Sequence, residues 1–242
     1  LLFSLLCNGQ SPKLFTTDKE LSSSLINQIY QDRNGFIWIA TEDGLNRYDG
    51  AKFTIYKHEP NNEHSLAHNF VRTVFEDSKG HLLIGTYIGI QMYDPATDNF
   101  TPLAKLEDTG ETLESNINSF IERKNGEIWV SGNVLCKLDI KDHLLTVRKV
   151  DIAVTSPGSL FEDKKQNVWM AKGEEGVYQL TPDNQLTLHL SKDNGYVKSI
   201  CEDQRGNIYV GSIRKGLFIY DKERKTFVPI DLKEKGELPV CF

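Results

Sequence analysis

The stretch Ile29-Tyr-Gln-Asp-Arg-Asn-Gly-Phe-Ile-Trp-Ile39 decides the fold, because it recurs. Its counterparts are Val74-Phe-Glu-Asp-Ser-Lys-Gly-His-Leu-Leu-Ile84, Phe120-Ile-Glu-Arg-Lys-Asn-Gly-Glu-Ile-Trp-Val130, Leu160-Phe-Glu-Asp-Lys-Lys-Gln-Asn-Val-Trp-Met170 and Ile200-Cys-Glu-Asp-Gln-Arg-Gly-Asn-Ile-Tyr-Val210. In each, a short apolar run ends at Asp32, Asp77, Asp163 or Asp203, with Arg123 the exception. An Asp side chain accepts hydrogen bonds from the amides of the turn that follows. Gly35, Gly80, Gly126 and Gly206 supply a position that tolerates positive φ, and the combination reads as a hairpin. At the fourth turn, where Gln166 stands, the expectation is a relaxed turn or a left-handed Asn167.

Working outward, a second strand follows each turn: Phe36–Ala40, His81–Gly85, Glu127–Ser131, Asn167–Ala171 and Asn207–Gly211. A third runs into Tyr48, Tyr93, Leu138, Leu180 and Tyr220, and a fourth carries Phe53, Phe100, Leu145, Leu188 and Phe227. The turn positions lie 45, 46, 40 and 40 residues apart, and a period of about 40–50 residues with four short antiparallel strands is that of a propeller blade. The fold expected is therefore all-β, a β-propeller with five blades visible as part of a seven-bladed ring. The third repeat has a clipped loop at Ser131-Gly132-Asn133. Trp38, Trp129 and Trp169 share one register position with Leu83 and Tyr209, which reads as a layer of the core between blades.

Composition agrees with a water-soluble sheet protein: 39% hydrophobic, 26% charged and 10% aromatic residues. A net charge of -6 without a basic run disfavours a nucleic-acid or anionic-membrane surface. Cys7, Cys136, Cys201 and Cys241 show neither zinc-ligand spacing nor a disulfide framework, so Cys136 and Cys201 are expected to be small buried hydrophobes. Residues 1–9, opening Leu1-Leu2-Phe3-Ser4-Leu5-Leu6, read as the tail of a secretory signal, and 10–242 as the partial propeller. Lys13–Thr17 is expected to be a strand without its own blade, and 239–242 the start of another blade. On that reading one or two blades lie outside the chain.

No phosphate loop, H-E-x-x-H or G-x-S-x-G motif is present. His64 and His68 are four apart, a metal-binding spacing on a helix, but they lie in a polar loop without a clear third ligand. The Glu-Asp pairs at 76–77, 162–163 and 202–203 recur at one repeat position, which assigns them to turn capping and not to catalysis. No catalytic residue, metal or cofactor is expected.

Gly35-Phe-Ile-Trp-Ile-Ala-Thr-Glu-Asp-Gly-Leu-Asn-Arg-Tyr-Asp-Gly50 resembles the repeat of two-component regulator propellers, as does the run from Glu76 to Asp94. The fourth repeat departs from it at Gln166 and Thr181. The resemblance implies paired seven-bladed propellers in the periplasm, as the sensor region of hybrid two-component histidine kinases of the kind found in gut Bacteroidetes. It further implies an oligosaccharide ligand, control of polysaccharide-utilisation genes by phosphorelay, a second propeller in the same parent protein and a homodimeric receptor anchored in the inner membrane. Two other readings stand beside it, a propeller enzyme of the streptogramin-lyase type and a protein-interaction propeller.

In a propeller the loops between the second and third strands share a face with the inter-blade loops, and loops on a rigid scaffold are natural binding sites. Candidate ligand-binding residues are Glu42, Asp43, Tyr87, Asn133, Lys172, Arg214 and Lys215 on the first set of loops. Glu174 and Glu175 stand with them, and His64, His68 and Asn69 come from the inter-blade loops.

Overall fold

A computed structural model describes residues 14–17, 20–190 and 195–230. Five sheets follow one another. Blade 1 contains β1 (Ile26–Gln31), β2 (Ile37–Thr41), β3 (Gly44–Tyr48) and β4 (Phe53–Tyr56). Blade 2 contains β5 (Val71–Glu76), β6 (Leu82–Thr86), β7 (Ile90–Asp94) and β8 (Asn99–Phe100). After β9 (Lys105–Leu106), blade 3 contains β10 (Ser119–Glu122), β11 (Ile128–Ser131), β12 (Leu135–Lys141) and β13 (Leu144–Lys149). Blade 4 contains β14 (Leu160–Glu162), β15 (Val168–Lys172), β16 (Gly176–Leu180) and β17 (Leu186–Leu190). Blade 5 contains β18 (Val197–Glu202), β19 (Ile208–Ser212), β20 (Gly216–Asp221) and β21 (Thr226–Pro229). Within each blade the four strands are antiparallel in chain order, and the first strands of consecutive blades are neighbours along the inside of the arc. The all-β propeller expected from the repeat is the fold observed.

Each turn takes its shape from the expected Asp. Asp32 Oδ1 accepts the Asn34 and Phe36 N–H groups, and Asp77, Asp163 and Asp203 repeat the arrangement. The turn then closes through a left-handed residue: Gly35 at φ 89°, Gly80 at 94°, Gly126 at 83°, Gly206 at 78°. In the fourth turn Gln166 itself adopts φ 67°, so the strain falls there and not on Asn167.

The second carboxylate oxygen serves the core. Trp38 Nε1 donates to Asp32 Oδ2 at 2.8 Å and Trp169 Nε1 to Asp163 Oδ2 at 2.9 Å. Tyr209 Oη reaches Asp203 Oδ2 at 3.2 Å, and His81 Nδ1 lies 2.7 Å from Asp77 Oδ2. A buried indole N–H left unbonded would cost about 1–3 kcal/mol, so one Asp both shapes the turn and makes burial of the ring tolerable. In blade 3 Arg123 replaces the Asp, and Glu127 takes over by accepting from Trp129 Nε1 at 3.0 Å.

The Glu of each Glu-Asp pair, and Glu122 before Arg123, act across the blade boundary. Glu76 accepts the Arg33 N–H at 2.9 Å, Glu122 the Ser78 N–H at 2.6 Å, Glu162 the Lys124 N–H at 2.7 Å and Glu202 the Lys164 N–H at 3.1 Å. The Asp therefore caps its own turn, while the Glu caps the turn of the blade before.

Apolar packing follows the pleat. Trp38 points forward into the cluster between blades 1 and 2, where Leu45, Val74, Leu82, Ile84 and Phe100 meet it. Leu83 points into the blade 2–3 cluster with Phe120, Ile128 and Val130. Trp129 meets Val168 and Met170, and Trp169 meets Ile208 and Val210. Alternate residues of each second strand thus serve the two neighbouring interfaces.

Three sequence expectations are corrected. Among residues 14–17 there is no strand; Phe15 instead packs its ring on Tyr48 and Phe53 of blade 1, at 5.3 and 4.9 Å between centroids. Blade 3 carries a fifth strand, β9, which pairs parallel to β13 and covers its outer edge. Cys136 is a buried free thiol whose pKa burial pushes up to about 11, but Cys201 is half-buried and disulfide-bonded to a partner outside the described residues. The expected signal remnant (1–9) and blade start (239–242) also lie outside the described residues.

Replacing Glu162 with Ala, which strips acceptors from Lys124 N–H and the Arg123 guanidinium at a side chain only 7% exposed, is expected to cost about 2–3 kcal/mol. Urea unfolding of the variant measures it, and a loss under about 0.5 kcal/mol refutes the inter-blade role.

Glu127 gives a pH prediction. Burial acts to raise its pKa, but hydrogen bonds from Lys137, Trp129 and Asn125 outweigh it and pull the value down to about 2. A depressed carboxyl stabilises the fold above its unfolded value near 4.5 and loses that contribution as pH falls toward 2. Acid unfolding between pH 5 and 2 is expected to be shallower in Glu127→Gln than in the parent chain.

Candidate functional site

The loop face is assembled by backbone bonds between the two loop sets. Gly44 N–H donates to Asn69 O, Tyr87 N–H to Phe70 O, Ile117 N–H to Thr86 O, Ser156 N–H to Asn133 O and Ile213 N–H to Tyr196 O. On blades 1 and 2 this brings candidate residues into contact. Asn69 Nδ2 donates to Asp43 Oδ1 at 3.1 Å, and Lys57 Nζ lies 2.6 Å from Asp43 Oδ2. Asn69 Oδ1 accepts the His58 N–H, so both ends of the amide are held.

Beside them stands an aromatic shelf. Tyr87 is 53% exposed, with the His68 ring 5.5 Å and the Phe70 ring 6.0 Å away between centroids. His68 Nδ1 accepts the Phe70 N–H at 2.9 Å, which leaves the imidazole proton on Nε2. Burial, and then the neighbouring His58, lowers the His68 pKa. Both observations make His68 neutral near pH 7.

Behind the shelf runs a polar collar. Asn27, Arg72, Asn118, Gly158 and Lys198 occupy one register position, two residues before Ile29, Val74, Phe120, Leu160 and Ile200. Asn27 Nδ2 donates to Val71 O at 2.7 Å, Arg72 Nη1 to Asn118 Oδ1 at 3.3 Å and Asn118 Nδ2 to Pro157 O at 3.0 Å. The Arg72 guanidinium lies over the Phe70 ring at 5.5 Å. Its Nε is buried without an acceptor among the described residues, and so is Asn116 Oδ1, in the loop that leads to Asn118. Buried polar atoms with no partner are rare enough to need a reason.

The other candidates are spread along the arc. The Asn133 N–H donates to Ser115 Oγ at 2.9 Å. Lys172 pairs with Glu175 at 2.8 Å and reaches Thr155 Oγ1 at 3.2 Å. Glu42, Glu174, Arg214 and Lys215 are exposed on their own loops. His64 does not join the loop face: its Nδ1 lies 3.1 Å from Phe100 O, and its carbonyl accepts the Phe100 N–H at the outer edge of blade 2. The two histidines thus serve different walls of the blade. Among the described residues no three His, Cys, Asp or Glu side chains converge as a metal site, and no helix is long and apolar enough to cross a membrane. Lys57, Phe70, Arg72 and Asn118 join the site without having been expected. The shared register of the collar is the signal that would have found the last two.

The family profile described as two-component regulator propeller matches residues 20–43, 65–87 and 191–214. A histidine kinase, P4, of Formosa agariphila is 42% identical over 55 residues, 23% of this chain and 4% of that protein. The extracellular domain of a hybrid two-component system from B. thetaiotaomicron superimposes with TM-score 0.73 at 18% identity, over 91% of this chain and 33% of that one. Streptogramin B lyase superimposes with TM-score 0.61 at 15% identity, over 87% of this chain and 70% of that one. The chain thus spans about a third of the extracellular domain it resembles and a small part of the kinase. At these identities the solved structures speak for the fold alone.

A guanidinium held by one long hydrogen bond and a ring contributes little to folding. Arg72→Met is expected to change the unfolding free energy by less than about 1 kcal/mol, within the range of neutral or stabilising replacements of buried ions. A loss above about 2 kcal/mol in chemical denaturation would make Arg72 a structural residue.

Proposed function

We propose, from the premise that this chain carries two-component regulator propeller repeats, that it is the ligand-sensing propeller of an extracytoplasmic receptor of the hybrid two-component type, and that its ligand is an oligosaccharide. The observation that carries the ligand class is the exposed Tyr87 shelf with its polar surround. A flat ring offers the C–H face of a pyranose an apolar partner, while Asp43, Asn69, Asn118 and Arg72 offer hydroxyl groups both donors and acceptors. Arg72 Nε is a donor already desolvated and without an acceptor among the described residues, and such prepositioned groups give orientation at low ordering cost. The disulfide at Cys201 supports an oxidising, extracytoplasmic compartment. On this reading the kinase, the phosphorelay and the control of polysaccharide-utilisation genes belong to the parent protein. The second propeller and the homodimer are its further partners.

Calorimetric titration against a panel of oligosaccharides tests the reading. The expected result is at least one binder whose affinity falls about tenfold or more, about 1.4 kcal/mol, in Tyr87→Ala. The thermal midpoint should hold, because Tyr87 is half exposed. Binding that survives Tyr87→Ala and Arg72→Met unchanged would remove the shelf from the site, and silence across a broad panel would remove the sugar.

A further inference from the structure

The repeat is longer between blades 1 and 2 and between blades 2 and 3, where the turn positions stand 45 and 46 residues apart against 40 elsewhere. The extra residues have a destination. Residues between 58 and 67 and between 102 and 112, together with 143–146, wall a cavity of about 690 Å³ at the rim between blades 2 and 3. That size is within the range of small-molecule sites, about 300–1,000 Å³.

The wall is built on a buried anchor. Gln91, 1% exposed, donates through Nε2 to Ser65 O at 3.0 Å and Thr101 O at 2.8 Å, and its Oε1 accepts the Ala67 N–H at 2.6 Å. One side chain in β7 thereby fixes both segments against the blade, so the cavity is a formed feature and not a gap between loose loops. Its floor is aliphatic: Ile88, Pro102, Leu103 and Leu145, with Leu144 at the mouth still 67% exposed. No Phe, Tyr or Trp ring lies among the lining residues, which sets it apart from the Tyr87 shelf.

The charged lining is uneven. Lys105 and Glu63 are its ionic side chains, with the imidazoles of His58 and His143 beside them. The Glu63 side chain is 75% exposed and leans toward His64, 3.9 Å away, outside the lining. Lys105 has no carboxylate partner among the described residues, and His58 Nδ1 is committed to Leu66 O at 2.9 Å, which leaves Nε2 as its free ring atom. We propose that this rim cavity, walled by the two insertions, is a second binding site, and that it takes a small amphipathic carboxylate, its aliphatic chain on the Ile88–Leu103–Leu145 floor and its anionic head toward Lys105. The site is independent of the oligosaccharide reading, since no residue of the shelf or collar lines it.

Titration of the chain with sodium octanoate, with 1-octanol as the neutral match, tests the proposal. Octanoate should bind with a dissociation constant below about 1 mM, and octanol about tenfold or more weakly. Ala67→Phe, which puts a ring into the mouth, should abolish both. Lys105→Gln, a surface change that leaves folding intact, should bring octanoate down to the level of octanol. No binding of octanoate, equal binding of the alcohol, or indifference to Lys105→Gln would each overturn it. A shelf variant such as Tyr87→Ala should leave octanoate binding unchanged, and a loss there would merge this site with the other.

Discussion

A blade is a twisted sheet with two apolar faces, and it is stable only when both are covered. The residue that covers most area is the ring at the centre of the second strand, and that ring brings an N–H or O–H into the core. Everything else in the repeat answers to this constraint. The carboxylate of Asp32, Asp163 or Asp203 takes the polar hydrogen with one oxygen and shapes the adjacent turn with the other. Because the same side chain sets the hairpin and the core contact, the register of the first two strands cannot slip without losing both. The Glu one position earlier then borrows the turn of the preceding blade, so the alignment within a blade is passed to the next.

Blade 3 shows how firmly the constraint holds. Arg123 stands where the Asp should be, yet Trp129 is still buried, at 3% exposure, and its N–H is still bonded. The acceptor has moved four residues, from the strand end to Glu127 beyond the turn. The released Arg123 stacks over Trp129 at 4.6 Å and pairs with Glu162 of blade 4 at 2.9 Å. The carboxylate that the other repeats place before the turn stands after it here, beside an unchanged indole. The demand is therefore for a carboxylate beside the ring, not for an Asp at one position.

This explains which parts of the fold could be read in advance. Strand order, turn chemistry and the core ring all follow from residues that repeat in register, and the bounds of every second strand lie within one residue of their expectation. The division of labour within the Glu-Asp pairs was not legible, because a linear pattern does not say that a carboxylate faces the neighbouring blade. Nor was β9: Lys105-Leu106 has no strand period of its own, and its pairing with Thr146 and Val147 exists only because the insertion folds back. Cys201 was read as a plain core thiol because half-burial in a first strand looks the same in sequence as full burial.

The site divides along the same line. Tyr87, Asp43 and Asn69 were legible because loops at fixed places in a repeat share a face. His64 was misassigned because it lies only four residues from His68, and the chain between them turns around Leu66, which is fully buried between blades 1 and 2. One buried leucine thus sends two nearby histidines to opposite tasks, one to the Tyr87 shelf and one to the outer edge of blade 2. The two unequal spacings of the repeat matter for the same reason. A 40-residue blade has few residues beyond its four strands and three turns, so its loops must close on themselves. Five or six more residues, tied down by Gln91 and Leu66, can enclose space. The longer loops of this chain accordingly fall between blades 1 and 3, where the repeat is irregular, while the spacing from blade 3 onward keeps the shorter period.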